Sequence, residues 1–327
     1  MPEPLPRPGR RSPGGAQSTG CSAGPAPRHG TGDADPVDSP PIAASLGVVI
    51  LTHNRCEEVV GTLQGLQRNV PGIPLVVVDN GSSDGTAERI RRDFPEVALV
   101  RAPGNLGAAG RNLGARAVQA KYLAFCDDDV CWLPGSLERA LRLLEQHPDV
   151  AVLSARVMVG AAAMPDPACA PMAKSPLPGE PDIGPALIGF MAGACVMRAE
   201  AFQAAGGYWQ PLFIGGEEAL LALDLLEGGW RILYAPDIAA HHHPSRARDA
   251  AGRRRLLTRN ALWVAWLRLP VATALGESWR ILRAVPGWRE RWCRLRDAST
   301  GWRMVFANRR PVGRRVRHLL AIVRKAG

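Results

Sequence analysis

Three consecutive carboxylates, Asp127, Asp128 and Asp129, end the apolar run from Tyr122 to Cys126. Five apolar residues stopped abruptly by charge read as a buried strand whose end meets solvent. Three acids cannot all lie buried and unpaired, because an unpaired buried charge is very costly. The triplet therefore predicts a place at the carboxyl end of a strand, where an open α/β sheet takes its ligands. Held side by side, the acids repel unless a cation joins them. An oxygen-only donor set suits Mg²⁺ or Mn²⁺ carried alongside a phosphate. A solvated acidic turn before the next helix is the alternative that this stretch alone leaves open.

The chain upstream repeats the pattern. Leu46 to Leu51 is apolar and ends in Thr52-His53-Asn54-Arg55, with Asn54 placed to cap a helix running to about Asn69. Pro74 to Val78 is a second strand ending at Asp79, followed by the polar turn Asn80 to Gly85, in which Ser83 or Asp84 can cap the next helix. Val97 to Arg101 is a short third strand, and a helix over about Ala108 to Gln119 leads into the Tyr122 strand. Strands alternating with helices of this length predict an α/β fold with a mostly parallel central sheet and right-handed crossovers. Thr52, Asp79 and the acid triplet then all fall at strand ends and share one crevice.

Downstream, Pro134 opens a helix to about Gln146, and Val150 to Val157 is a strand. The stretch 160–185 holds seven prolines and reads as a loop able to act as a flap. Ala186 to Met197 is apolar and interrupted by Gly189 and Gly193, which suggests a strand packed close to a ligand. Glu217-Glu218 follows a Gly-rich loop and opens a helix to about Leu226; Trp230 to Tyr234 is a strand, and His241-His242-His243 lies beyond it.

The 327 residues, 46% hydrophobic, suffice for one large domain with appendages. Residues 1–44 are rich in Pro, Gly, Ser and Arg and predict disorder. Residues 45–243 form the α/β domain, and 244–327 form a basic helical extension. That extension holds 21 Arg and Lys against 4 Asp and Glu, whereas the rest of the chain holds 19 against 26. Its apolar residues, among them Leu256, Trp263, Trp266, Trp279 and Leu282, recur at helical spacing between arginines. Two readings stand: an amphipathic surface for an anionic membrane, or helices packed on the domain with solvated arginines. No nucleic-acid recognition motif accompanies the charge. The seven cysteines have no paired metal-site spacing, and no apolar leader or run of about 18 apolar residues occurs. A cytoplasmic protein with reduced thiols is expected.

Four stretches in order resemble the inverting glycosyltransferase family 2, which has a GT-A fold. They are Val48 to Arg55, Val76 to Thr86, Gly104 to Gly114, and Phe125 to Val130. The resemblance runs from Leu46 to about His243. It implies a nucleotide-diphosphate sugar as donor and a glycan or lipid-linked hydroxyl as acceptor, as in cell-envelope synthesis. It places Thr52 and Asn54 beside the nucleotide, Asp79 on the base, and Arg111 as a nearby cation. Asp129 becomes the direct metal ligand, with Asp127 and Asp128 in support, and His242 an added nitrogen ligand. The family's base for the acceptor hydroxyl falls on Glu218, with Glu217 as the competing choice.

The chain departs from the family pattern in that region. The base is usually Asp, a second acid is replaced by Leu220, and a usual Arg by Asp224. These departures motivate a rival expectation, a degenerate member that binds nucleotide sugar without transfer. A dinucleotide-binding fold is disfavoured because the glycines of 104–114 do not directly follow the first strand. A phosphatase with a nucleophilic Asp lacks a suitably placed downstream lysine among Lys174 and Lys325.

Overall fold

The structure, a computed structural model, describes residues 42–244 and 250–326. The expectation for the Pro- and Gly-rich N-terminus therefore lies almost wholly outside the described residues. Helix α1 (Ile42–Ser45) leads into β1 (Leu46–Thr52), α2 (Cys56–Asn69), β2 (Leu75–Asp79), α3 (Thr86–Asp93) and β3 (Ala98–Arg101). Then come α4 (Arg111–Ala117), β4 (Tyr122–Asp127), β5 (Val130–Trp132), α5 (Ser136–Gln146) and β6 (Val150–Val159). The middle of the chain adds β7 (Met164–Pro165), α6 (Cys169–Ala173), β8 (Leu177–Glu180), β9 (Gly184–Ala186), β10 (Ala194–Arg198), α7 (Ala199–Ala204), α8 (Glu217–Glu227) and β11 (Arg231–His242). Helices α9 (Ala250–Arg268), α10 (Val271–Arg283), α11 (Trp288–Ser299), α12 (Trp302–Ala307) and α13 (Arg314–Ala326) follow.

The sheet runs in the order β3-β2-β1-β4-β10-β6-β11-β9-β8. The pairs β3/β2, β2/β1, β1/β4 and β6/β11 are parallel, and β10 runs antiparallel between β4 and β6. The sheet's long strands apart from β10 thus run parallel, as the strand-helix alternation predicts, while the short strands β5, β7 and β9 add antiparallel pairs. Helices cover its strands, so β1, β2 and β4 are apolar along almost their whole length rather than alternating. Register does the rest: Thr52 pairs with Asp79, and Leu51 with Asp127. Three polar strand ends are thereby set in one row.

Four local expectations are corrected. Asn54 does not cap α2. It sits in the left-handed region (φ 52°), and its side chain accepts from the Ser83 amide at 2.8 Å. The stretch 160–185 is not a featureless flap: it contains β7, α6, β8 and β9. Strand β9 pairs with Leu233, near the start of β11 and away from the acids, whereas β7 pairs with Met158 and Val159, the β6 residues in register with His241 and His242. Strand β10 begins only at Ala194, leaving 187–193 as a connecting loop. Finally, β11 runs on to His242 through a register shift between Ala235 and Ala239, which absorbs Pro236, a residue with no N–H to donate.

The C-terminal helices share the core of the α/β body. Leu262, Trp263, Leu267, Val305 and Val316 are buried in one apolar cluster with the strands. Arg268, almost fully buried, forms a two-armed bond to Asp224 on α8 at 2.5 and 2.9 Å. The Gly313 amide donates to Glu227 at the end of α8 at 2.8 Å. The packing alternative for the extension is therefore what these helices do on their inner side. Among the described residues no helix is long and apolar enough to cross a membrane.

Candidate active site

The acid triplet is held by arginines. Arg55, just after β1, reaches Asp128 Oδ1 at 2.8 Å with one guanidinium nitrogen and Asp129 Oδ2 at 2.8 Å with another. Thr52 donates its hydroxyl to Asp128 Oδ2 at 2.9 Å, and Arg111 pairs with Asp127. On the other side of Asp129, His242 Nε2 stands 3.4 Å from Oδ1. The histidines alternate as strand geometry requires. His241 bonds the Gly160 carbonyl at 2.7 Å and its ring lies 4.1 Å from that of His243, leaving His242 to face the acids.

Two neighbouring acids are pushed in opposite directions. Burial opposes ionisation of Asp129, yet the hydrogen bonds from His242 and Arg55 outweigh it and hold the carboxyl at about 2. Burial dominates at Asp128 and lifts it to about 7, with Arg55 and Thr52 offsetting only part of the cost. Asp129 is thus held as an anion far more firmly than Asp128.

The neighbouring strand end is equally organised. Asp79 is fully buried, accepts from the Ser82 amide at 2.8 Å, and lies 3.1 Å from Arg101 Nε. Asp84 spans two helices, accepting from the Cys56 amide at 3.2 Å and the Thr86 amide at 3.1 Å. Its bond to Thr86 partly meets the capping expectation, although Gly85 takes the cap position itself.

The second half of the site comes from distant chain. Gly193 packs against the Asp127 carboxylate: a Cβ there would lie 2.4 Å from Oδ2, so only glycine fits without a shift. One residue earlier, the Ala192 amide donates to Glu218 Oε1 at 2.8 Å. A single turn thereby touches the acid cluster on one side and the first turn of α8 on the other. The loop before α8 docks on the 104–110 segment. There the Ala108 amide donates to the Phe213 carbonyl at 2.6 Å, and Gly107 leaves room for that carbonyl. Asn112 makes two bonds to the Tyr208 backbone, at 2.8 and 2.9 Å.

Burial raises the Glu218 carboxyl to about 7, and the adjacent Glu217 carboxylate adds to the effect; the Ala192 amide pulls it back in part. A carboxyl poised there can take a proton near neutral pH. Glu217 is more deeply buried than Glu218, which makes Glu218 the more accessible of the two.

Several contributors are not singled out by sequence reasoning. Arg55 is one residue of the motif after β1, with no separate signal of its own, yet it ties two acids together. Asn260, on α9, donates to the carbonyls of Leu212, Ile214 and Gly215 at 2.6, 3.0 and 2.6 Å and so fixes the loop before Glu217. Nothing in the local sequence around Asn260 signals that role, because its partners lie about 45 residues away. One cluster of three potential metal donors, His147, Glu180 and Asp182, occurs among the described residues. It lies away from the acid triplet and already holds Arg231 on Glu180.

Comparison with known proteins bears on the family and the fold. The model of glycosyl transferase family 2 matches residues 47–204, from β1 to the end of α7. That span includes Thr52, Asn54, Asp79, Arg111 and the acid triplet, and stops short of Glu217, Glu218 and His242. An uncharacterized glycosyltransferase of Haemophilus influenzae is 34% identical over 107 residues, covering 32% of this chain and 36% of its own length. An N-acetylglucosaminyl-diphospho-decaprenol L-rhamnosyltransferase of Mycobacterium tuberculosis is 27% identical over 222 residues, covering 55% of this chain and 70% of its own. Among solved structures, a fragment of S. aureus TarS with UDP-GlcNAc matches at TM-score 0.56 and 16% identity, over 73% of this chain and 71% of that one. A mannosyltransferase from Pyrobaculum calidifontis, solved with GDP-Man and Mn²⁺, matches at TM-score 0.51 and 17% identity, over 89% and 90%. Residues 47–204 belong to glycosyl transferase family 2, and the chain has the GT-A fold.

Proposed function

We propose that the chain transfers a sugar from a nucleotide-diphosphate sugar to an acceptor hydroxyl with inversion at the anomeric carbon. The observation that carries this reading is the 192–193 turn, which joins a proton-accepting carboxyl near neutrality to a strand-end acid cluster. In the reaction, Glu218 accepts the proton of the acceptor hydroxyl. That oxygen bonds the anomeric carbon as the bond to the diphosphate breaks, and the nucleoside diphosphate leaves on the opposite face.

The donor set fits a divalent cation such as Mg²⁺ or Mn²⁺. Asp129 is a firmly held anion beside a histidine nitrogen. Asp129 and His242 would hold the ion, with Asp127 at its edge. A bound ion would supply neutralisation of the diphosphate charge. Arg111 and Arg55 add positive charge to the same place, and Asp79, Thr52 and Asn54 shape the side where the nucleotide base and ribose would lie.

The acceptor on this reading is a glycan or lipid-linked hydroxyl presented on the cytoplasmic side, by analogy with the decaprenol-linked acceptor in the name of the mycobacterial relative. The departures at Leu220 and Asp224 have structural partners here. Leu220 is buried in the core, and Asp224 binds Arg268. Leu220 serves the core and Asp224 the docking of the extension, which weakens both as signs of a binder without activity.

The test is incubation of the full chain with a panel of UDP-, dTDP- and GDP-sugars, Mn²⁺ and polyprenyl-diphosphate acceptors. A glycosylated product of inverted anomeric configuration is expected, lost in Asp129→Ala and in Glu218→Gln, with donor binding kept in the latter. Donor binding without transfer or donor hydrolysis across the panel would instead establish the non-catalytic reading.

A further inference from the structure

We propose that α10 and α11 form a docking surface for an anionic lipid bilayer. Surface helices ordinarily turn their apolar stripe inward and their charges out. These two helices have an inner apolar side and a second one facing out. On the inner side Ala274 and Ala298 are fully buried, Trp266 donates to Ser278 at 3.0 Å, and Trp263 to the Ala298 carbonyl at 2.8 Å. On the outer side α10 exposes Val271, Leu275 and Trp279 at four-residue spacing, and α11 exposes Trp288, Trp292 and Leu295. The three tryptophans are 68%, 72% and 68% exposed, a large apolar area to leave in water.

Charge identifies the occupant. Exposed Arg280, Arg283, Arg289 and Arg296 border the aromatic residues on the same two helices. Residues 271–327 carry 14 Arg and Lys against 3 Asp and Glu, an excess of 11 positive charges. A second copy of the chain seated on this face would set that charge against its like. The chain's own residues 1–41 offer Met1, Leu5 and Val37 as their large apolar side chains, too few to cover the six exposed here. An anionic bilayer answers both features at once. Its headgroups attract the arginines, and the boundary between headgroup and acyl chain is where tryptophan rings settle. This surface stands independently of the transfer reading, since it needs neither donor nor catalysis.

The test is flotation of the full chain with vesicles of phosphatidylglycerol and phosphatidylcholine, and with phosphatidylcholine alone. Binding to the mixed vesicles is expected, weakened by high salt and at least about tenfold weaker on the neutral ones, as two or more basic residues at the surface imply. The combined variant Trp279→Ser, Trp288→Ser, Trp292→Ser should lose at least about tenfold in partitioning with an unchanged thermal midpoint. Arg283→Gln and Arg289→Gln should each lose about fivefold. No flotation of the intact chain, equal binding to neutral vesicles, or undiminished binding of the tryptophan variant would overturn the proposal. So would a dimer in sedimentation that the tryptophan variant abolishes, which would assign the face to a second copy. Vesicle binding in a Glu218→Gln chain separates this result from any failure of transfer.

Discussion

Asp129 and Glu218 are both buried-side carboxylates of one crevice, and their surroundings drive them apart. Asp129 has a guanidinium within 2.8 Å and an imidazole within 3.4 Å, and stays ionised down to about pH 2. Glu218 has a backbone amide on one oxygen and a second glutamate next door, and titrates near 7. On the proposed reading, the difference gives the same functional group two kinds of work. A fixed anion beside a histidine suits a cation, whereas a carboxyl that can gain and lose a proton near neutrality suits a hydroxyl about to become a nucleophile.

The largest expected break in this contrast is at Glu218. Glu218→Gln removes the proton acceptor and should lower transfer by about 10²- to 10⁴-fold, measured as product formation at saturating donor, with donor affinity retained. Glu217→Gln should lower it less; the reverse order would transfer the role to Glu217. Next is Arg268→Ala, read by denaturant unfolding. It leaves Asp224 without its buried partner and should cost about 3–5 kcal/mol of stability, because that pair anchors the extension to the helix that begins with Glu217.

Asp129→Asn should abolish the Mn²⁺-dependent rise in thermal stability, which for the intact chain at a hundredfold excess over Kd corresponds to about 2.7 kcal/mol. A metal-dependent shift that survives the change would place the ion elsewhere. The smallest effect is on pH and stability. The Glu218 carboxyl titrates near 7 in the folded chain against an ordinary value of 4.5. The folded state then holds its proton where the unfolded state has lost it. Its contribution to stability is therefore lost as pH rises from about 4.5 to 7, by about 1–3 kcal/mol, and Glu218→Gln should lack that decline. Transfer has the opposite sign, rising through about pH 7 as Glu218 ionises.

Much of the donor side was legible in the chain. Apolar runs stopped by Thr52, Asp79 and Asp127 predicted strand ends, and a parallel pairing register aligns them. The Glu217-Glu218 helix start was legible for the same reason, an acid pair after two glycines. The Pro-rich stretch 160–185 misled, because proline density signals a break in regular structure but does not exclude short strands at a sheet edge. Asn54 misled because cap residues also suit left-handed turns, and the choice depends on whether Ser83 is within reach.

The sequence alone determined the element order, the strand-end acids and the excess of arginine after residue 244, since periodicity and charge are local properties of the chain. Tertiary structure decided which groups meet. Arg55 bridges two acids more than 70 residues away, and Ala192 reaches Glu218 across 26 residues. It also decided that the extension packs through Arg268 and Asn260 while its tryptophans on α10 and α11 remain outside. Helical spacing shows that an apolar stripe exists; only the packing of neighbouring helices shows which stripe is left uncovered.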